Sequence, residues 1–276
     1  MMKRDIRYLS REDTSSGNGI ANKSNYLKRL LGTALGFSLI GVGGSILCLT
    51  LFPLITVLSR DDRQRHNRVR FIIRCAFKFY LKTLEFLGVI KLKASVSEDA
   101  QKIKGALIIC NHPTLLDVVI IIAHLKNIQC VVKNALWKNP FLGGVVRAAG
   151  YIRNDLDPEE FYKNCKNQLD QGENILIFPE GTRSTPGKPI KLHRSLGNLA
   201  IAASVNIQAL TLRCTPVTLI KGEKWYHIPI SCPVFHLNAG RFFDCASYRQ
   251  DLPRSLHVRA LVRDIQHYYN RYLGYE

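Results

Sequence analysis

At 276 residues and 46% hydrophobic content, the chain is too apolar for intrinsic disorder and long enough for one catalytic-size domain plus an appendage. A net charge of +18 calls for anionic partners, and with no nucleic-acid recognition motif or aromatic–basic platform, anionic lipid headgroups are the better fit. The eight cysteines show neither a Cys-x2-Cys pair nor a Cys/His cluster at ligand spacing, so they read as buried free thiols rather than disulfides or zinc ligands.

Residues 1–26 are polar, basic and without periodicity, and read as a flexible basic arm on the cytosolic side. No signal peptide is expected, because the apolar run begins too late and no small-residue cleavage site follows a short core. Residues 27–88 read as a membrane-associated helical segment. From Leu30 to Ser59 there is no charge, and residues 31–58 contain fifteen Leu, Ile, Val and Phe. That run exceeds the ~20 residues needed to cross a hydrocarbon core. Basic residues flank both ends, so crossing and re-entering one leaflet are equally open. Glycines 32, 36, 41, 43 and 44 allow a close helix contact or a kink, and Pro53 suggests a second break. Over residues 67–88, Arg70, Arg74, Lys78 and Lys82 recur every four residues among Phe, Ile and Leu. Such a helix can lie in the interface plane, pack on the catalytic domain, or do both. Residues 1–92 hold 16 Lys and Arg against 6 Asp and Glu, so much of the surplus positive charge belongs to this first third.

Residues 89–276 read as the catalytic domain, with a first strand near Val89–Val96. The apolar run 106–110 is a buried strand leading into Asn111-His112-Pro113-Thr114-Leu115-Leu116-Asp117. Pro113 and the polar residues break the element there, so His112 and Asp117 sit at a turn near a strand end. Residues 118–123 fit either a second strand or a buried helix. A helix would hold the Asp117 carboxylate charged at its N-terminus. A His and an Asp in one turn suit a general base, the carboxylate orienting the imidazole and stabilising its protonated form. His-x4-Asp alone is a loose pattern, equally met by a capping Asp beside a surface His. A second apolar strand, 175–178, runs into Pro179-Glu180-Gly181-Thr182-Arg183-Ser184.

Together, Asn-His-Pro-Thr-Leu-Leu-Asp and Phe-Pro-Glu-Gly-Thr-Arg-Ser resemble the first and third motifs of the glycerolipid acyltransferases, the family of 1-acylglycerol-3-phosphate and other lysophospholipid acyltransferases. The resemblance spans roughly residues 88–220. It implies that His112 deprotonates an acceptor hydroxyl and that Asp117 orients His112. Gly150-Tyr151-Ile152-Arg153 resembles a compressed second motif, which implies that Arg153 holds the acceptor phosphate together with Arg183. Glu180 would bind the acceptor hydroxyl or brace the arginines, Gly181 would let backbone approach a ligand, and Thr182 completes the motif. Thr215-Pro216 resembles the fourth motif, with Pro216 lining the acyl site. Three positions depart from the family pattern: Ala135 where Glu is usual, Ser195 where Gly is usual, and no Pro near Gln208.

The fold expected is α/β: a central mostly parallel or mixed sheet covered by helices, with an N-terminal membrane-binding helical segment. The reaction implied is O-acyl transfer from acyl-CoA or acyl carrier protein to a lysophospholipid, 1-acyl-sn-glycerol 3-phosphate, giving phosphatidate. A lyso-ornithine-type or other acceptor, or a non-catalytic lipid-binding scaffold, is the alternative. No metal or bound organic cofactor is implied. The expected location is a bacterial inner membrane, with the catalytic domain on its cytoplasmic face. Further on, residues 158–170 and 195–204 read as helices, 207–216 as a strand, 221–250 as short strands, and a terminal helix runs from an Asp251 cap to about Leu273. Leu256, Leu261, Ile265, Tyr268 and Tyr272 would form its apolar face.

Overall fold

Two parallel layers of helices enclose a seven-stranded sheet in this computed structural model, which describes residues 19–126, 128–245 and 253–275. The N-terminal segment is three helices: α1 (Gly19–Leu49), α2 (Leu51–Leu58) and α3 (Asp62–Phe86). Helix α1 begins at Gly19, inside the stretch expected to be a flexible arm, and residues 1–18 of that arm lie outside the described residues. Thr50 separates α1 from α2, whereas Pro53 sits in the first turn of α2, where the missing N–H leaves no bond unmade.

Residues Asn25–Leu58 are long and apolar enough to cross a membrane by length and composition, and 17% of their most apolar window is buried. Helix α1 nevertheless lies against the rest of the protein along its length. A Cβ on Gly32 would fall 2.6 Å from Val89, and one on Gly36 would fall 2.8 Å from Leu84 of α3. Farther along, Gly44 faces Leu142 and Val145 at 3.4 Å. The opposite face exposes Leu27, Leu31, Leu35, Val42, Ile46 and Leu49 in one stripe. Helix α3, capped by the Asp61 side chain on the Gln64 amide at 2.7 Å, buries Val69, Ile73, Tyr80, Leu81 and Leu84 and exposes Phe71, Phe79 and Phe86. The helix therefore packs on the catalytic domain and keeps an apolar face outward. Its basic stripe is not uniform: Arg70 is buried, paired with Glu173 at 3.1 Å and donating to Ala149 O at 2.9 Å.

The sheet begins with β1 (Lys91–Ser95); after the short α4 (Glu98–Lys102) come β2 (Leu107–Cys110), α5 (Asp117–His124) and β3 (Ile128–Val132). Two short helices, α6 (Asn134–Trp137) and α7 (Gly143–Ala148), precede β4 (Ile152–Arg153) and α8 (Pro158–Asp170). Then follow β5 (Asn174–Ile177), α9 (Arg194–Ala203), β6 (Ile207–Thr215), β7 (Val234–Phe243) and α10 (Arg254–Leu273). The spatial order is β1-β7-β6-β2-β5-β3-β4, all neighbours parallel except β6 and β7. Residues 118–123 are thus a helix, and the region expected as short strands contains one ten-residue strand, β7.

Alternation along the strands explains their continuous apolar runs. Ile108 and Cys110 face the layer holding α3 and α5, and Leu107 and Ile109 face the layer of α8, α9 and α10. A strand buried on both faces has no polar side to show. Among the described residues α10 buries Val258, Leu261, Val262, Ile265 and Tyr269, while Leu256 is exposed. Tyr269 is fully buried, its hydroxyl donating to Ile109 O at 3.1 Å and Leu210 O at 2.9 Å, tying α10 to β2 and β6. The expected cap, Asp251, lies outside the described residues, and Pro253 precedes the first turn.

Candidate active site at the carboxyl ends of the parallel strands

Five parallel strands, in the order β6-β2-β5-β3-β4, end on the same edge of the sheet. Each motif follows one of them: the His turn after β2, Glu180–Arg183 after β5, Arg153 at the end of β4 and Pro216 after β6. The crevice outside the carboxyl ends of such strands is where open α/β sheets hold ligands.

Asn111 extends the β2–β6 ladder with its side chain. Its Nδ2 donates to Leu212 O at 2.7 Å, and its Oδ1 accepts from Leu212 N at 2.9 Å. The chain leaves the sheet at the next residue. His112 is then held through its backbone: its N–H donates to Glu180 Oε1 at 2.9 Å, and its carbonyl accepts from Ser184 N at 2.7 Å. Ser184 Oγ donates to the same Glu180 oxygen at 2.8 Å. The His112 ring stacks on Phe178, centroids 4.0 Å apart and planes 24° apart.

His112 Nδ1 lies 2.7 Å from Asp117 Oδ2. Asp117 is fully buried at the first position of α5, and Thr114 donates to it twice, from its N–H to Oδ2 at 2.8 Å and from its hydroxyl to Oδ1. An acceptor-only carboxylate assigns the proton to Nδ1 and leaves Nε2 with its lone pair. Burial pushes the Asp117 carboxyl up, while the bonds from His112 and Thr114 pull it down. Burial also raises Glu180, opposed by the His112 N–H and the Ser184 hydroxyl.

The expected arginines differ in engagement. Arg183 Nη1 donates to Leu219 O at 2.8 Å and Ile220 O at 3.0 Å, leaving Nε and Nη2 without a partner among the described residues. Leu219 O also accepts from Leu115 N at 3.2 Å, so one carbonyl joins the His turn, the third motif and the loop after Pro216. Leu219 itself has φ +54, a strained setting for a branched side chain. Arg153 forms a bidentate pair with Asp155 at 2.9 and 2.8 Å and lies 6.0 Å from the Trp137 ring. Three strand spacings, about 14 Å, separate β4 from β2, and no hydrogen bond joins Arg153 to the His turn among the described residues. The pair with Asp155 raises the Arg153 guanidinium pKa further and lowers that of the Asp155 carboxyl.

Gly181 has φ +65, and a Cβ there would meet the His193 ring at 3.0 Å. Glycine at this position answers both a backbone and a packing demand. Thr182 is half-buried, and its side chain makes no hydrogen bond to a described residue. Pro216, half-buried after a cis peptide bond, accepts the Cys214 thiol at 3.3 Å and starts the loop that reaches Leu219. Lys188, Lys191, His193 and Arg194 are exposed and form a basic rim. Glu180 thus braces the His112 backbone rather than the arginines. Asn111, Thr114, Phe178, Ser184 and Leu219 were not marked by the sequence as site residues. Four of them stand inside the two motifs without an assigned role, and Leu219 carries no signal in the sequence.

Residues 91–213 match the family model described as Acyltransferase. This stretch is similar to that family. Over 126 residues the chain is 31% identical to a 1-acyl-sn-glycerol-3-phosphate acyltransferase of Helicobacter pylori, covering 44% of this chain and 51% of that protein. A chloroplastic 1-acyl-sn-glycerol-3-phosphate acyltransferase of Arabidopsis thaliana is 25% identical over 123 residues, covering 43% of this chain and 35% of that protein. The match thus spans about half the first relative and a third of the second. The fold of the chain is that of the crystal structure of the 1-acyl-sn-glycerophosphate acyltransferase PlsC from Thermotoga maritima. That likeness has a TM-score of 0.64 at 18% identity, over 89% of this chain and 97% of that one. His112, Asp117, Arg153 and the Glu180–Arg183 turn all lie within the stretch that matches the family model.

Proposed function

We propose that this protein transfers a fatty acyl group from a thioester to the free hydroxyl of a lysophospholipid, 1-acyl-sn-glycerol 3-phosphate, giving phosphatidate. The observation that carries the reading is the 2.7 Å contact of His112 Nδ1 with the buried, thrice-bonded Asp117 carboxylate. His112 Nε2 accepts the hydroxyl proton as the acceptor oxygen attacks the thioester carbonyl. The tetrahedral intermediate collapses with cleavage of the C–S bond, and the leaving thiolate takes the proton from His112.

An oxyanion donor within the His turn is not to hand, because its amides are committed. His112 N bonds Glu180, Thr114 N bonds Asp117, Leu115 N bonds Leu219 O, and Leu116 N bonds Thr114 Oγ1. The backbone N–H groups of Thr182 and Arg183 have no acceptor among the described residues, and Ser184 N is bonded to His112 O. We assign the developing oxyanion to these two amides. Arg183 Nε and Nη2 and the basic rim hold the acceptor phosphate and the anionic donor, acyl-CoA or acyl carrier protein. The scheme uses no metal or resident organic cofactor, since the base and donors are side chains and amides.

The outward stripes of α1 and α3 supply the membrane face. Contacts at Arg29 and Gly44, about 22 Å apart along the α1 axis, favour a helix lying along the bilayer surface over one crossing it. We place the catalytic domain on the cytoplasmic face of a bacterial inner membrane, in keeping with the basic N-terminal third and the free cysteines.

The test is a mixed-micelle assay with labelled palmitoyl thioester and 1-acylglycerol 3-phosphate, comparing wild type with His112→Ala. Phosphatidate from wild type and its loss in the variant support the reading; no transfer by wild type to any acceptor sinks it. A second reading, the same chemistry on an acceptor without a phosphomonoester, draws on the Arg153 fork being filled by Asp155. Equal rates with and without that phosphate would favour it.

A further inference from the structure

Between α1, α3 and the loop from Thr218 to Pro233 lies a narrow cavity of about 30 Å³, walled chiefly by Phe37, Leu84, Val89, Leu116, Leu219 and Ile228. One cation lines this apolar space. Arg29 is 7% exposed, its Nε donating to Asn25 O at 3.4 Å and its Nη2 to Pro229 O at 3.0 Å and to Ile230 O. Its Nη1 is buried, has no partner among the described residues, and no described carboxylate pairs with the guanidinium. A guanidinium removed from water without a counter-charge is costly, and an oxyanion in the cavity would relieve that cost.

Position and shape narrow the choice of anion. Arg29 is the last charge before the uncharged run from Leu30 to Ser59, so the anion it meets sits beside apolar surface. The cavity follows Arg29, Thr33 and Phe37 along one face of α1, about 12 Å of helix, with apolar walls beside them. Of its lining, Phe37 pairs with the Trp225 ring, 6.0 Å between centroids, and Ile230, whose carbonyl Arg29 bonds, is exposed. Room for only a few small atoms and one nitrogen with two free hydrogens suits a planar two-oxygen group better than a tetrahedral phosphate. We propose that this cavity binds a long-chain fatty carboxylate. The carboxylate fills the cavity against Arg29 Nη1, and the acyl chain leaves it past Phe37. The binding requires no acyl transfer, so it stands or falls apart from the proposed reaction. Its occupant would press on the loop whose Leu219 carbonyl holds Leu115 and Arg183.

The test uses the full chain in phosphatidylcholine nanodiscs and a palmitate carrying a photoreactive diazirine near its carboxyl end, with adducts mapped by peptide mass spectrometry. Saturable labelling within residues 29–37 and 228–233 is expected, displaced by palmitate and not by methyl palmitate. Arg29→Met should cut it at least about tenfold, the worth of one charge-assisted hydrogen bond. Labelling confined to the outward residues Leu31 and Leu35, equal competition by methyl palmitate, or undiminished labelling of Arg29→Met overturns the proposal. Tighter competition by lysophosphatidate than by palmitate overturns the carboxylate assignment, and no saturable label identifies a water-filled cavity. The methyl ester comparison needs only wild-type protein, so it decides even if the variant does not fold.

Discussion

Glu180 holds His112 by its backbone and not by its ring: one carboxylate oxygen accepts the His112 N–H at 2.9 Å and the Ser184 hydroxyl at 2.8 Å. The two motifs, 68 residues apart, are thereby one unit, closed from the other side by Ser184 N on His112 O.

Replacing Glu180 should separate geometry from charge. Glu180→Gln keeps an oxygen for both donors and should retain more activity than Glu180→Ala, which leaves the buried His112 N–H unmatched at about 1–3 kcal/mol. Burial holds the Glu180 carboxyl above its ordinary 4.5. Its stability contribution is therefore full below that value and lost as pH rises through the raised one. Thermal melts from pH 7.5 to 4.5 should show wild type gaining on Glu180→Gln as the pH falls. A constant gap would contradict this.

His112→Ala should lower turnover by about 10²–10⁴-fold, the usual worth of a general base. Asp117→Asn should lose activity of the same order with little change in acceptor KM, since an amide can present its N–H to Nδ1 and favour the wrong tautomer. Thiol release measured across a range of acceptor concentrations reads both turnover and KM.

Arg153 and Asp155 give a KM-against-kcat contrast. If the acceptor phosphate displaces Asp155 from the bidentate fork, Asp155→Asn should lower the acceptor KM and Arg153→Ala should raise it, with kcat less affected in both. Unchanged KM in both variants would take Arg153 out of the acceptor site.

Gly181→Ala meets a φ of +65 and the His193 ring at 3.0 Å, so it should cost about 1–2 kcal/mol and distort the Glu180 clamp. Urea unfolding with activity measured alongside would detect both effects.

Much of this was legible in the chain because its sheet is parallel and buried on both faces. Strands at 107–110, 174–177 and 207–215 read as apolar runs, and α8 announces itself through the Asp157 cap and Pro158 at its start. Strand β7 escaped notice because, at the antiparallel side of the sheet, its burial is interrupted by polar His236, Asn238 and Arg241. The clamps escaped because they are long-range backbone bonds: Asn111 meets Leu212 across 101 residues, and no local pattern encodes that. Arg70 read as one of four evenly spaced basic residues because spacing alone does not reveal that Glu173 waits behind it.

The glycine seam seats α1, and with it the outward apolar stripe, directly against Leu84 and Val89. A catalytic edge fixed at one height above a bilayer searches in two dimensions. Its rate should then follow the mole fraction of acceptor in the surface, so that diluting the substrate with inert lipid at constant bulk concentration slows the protein.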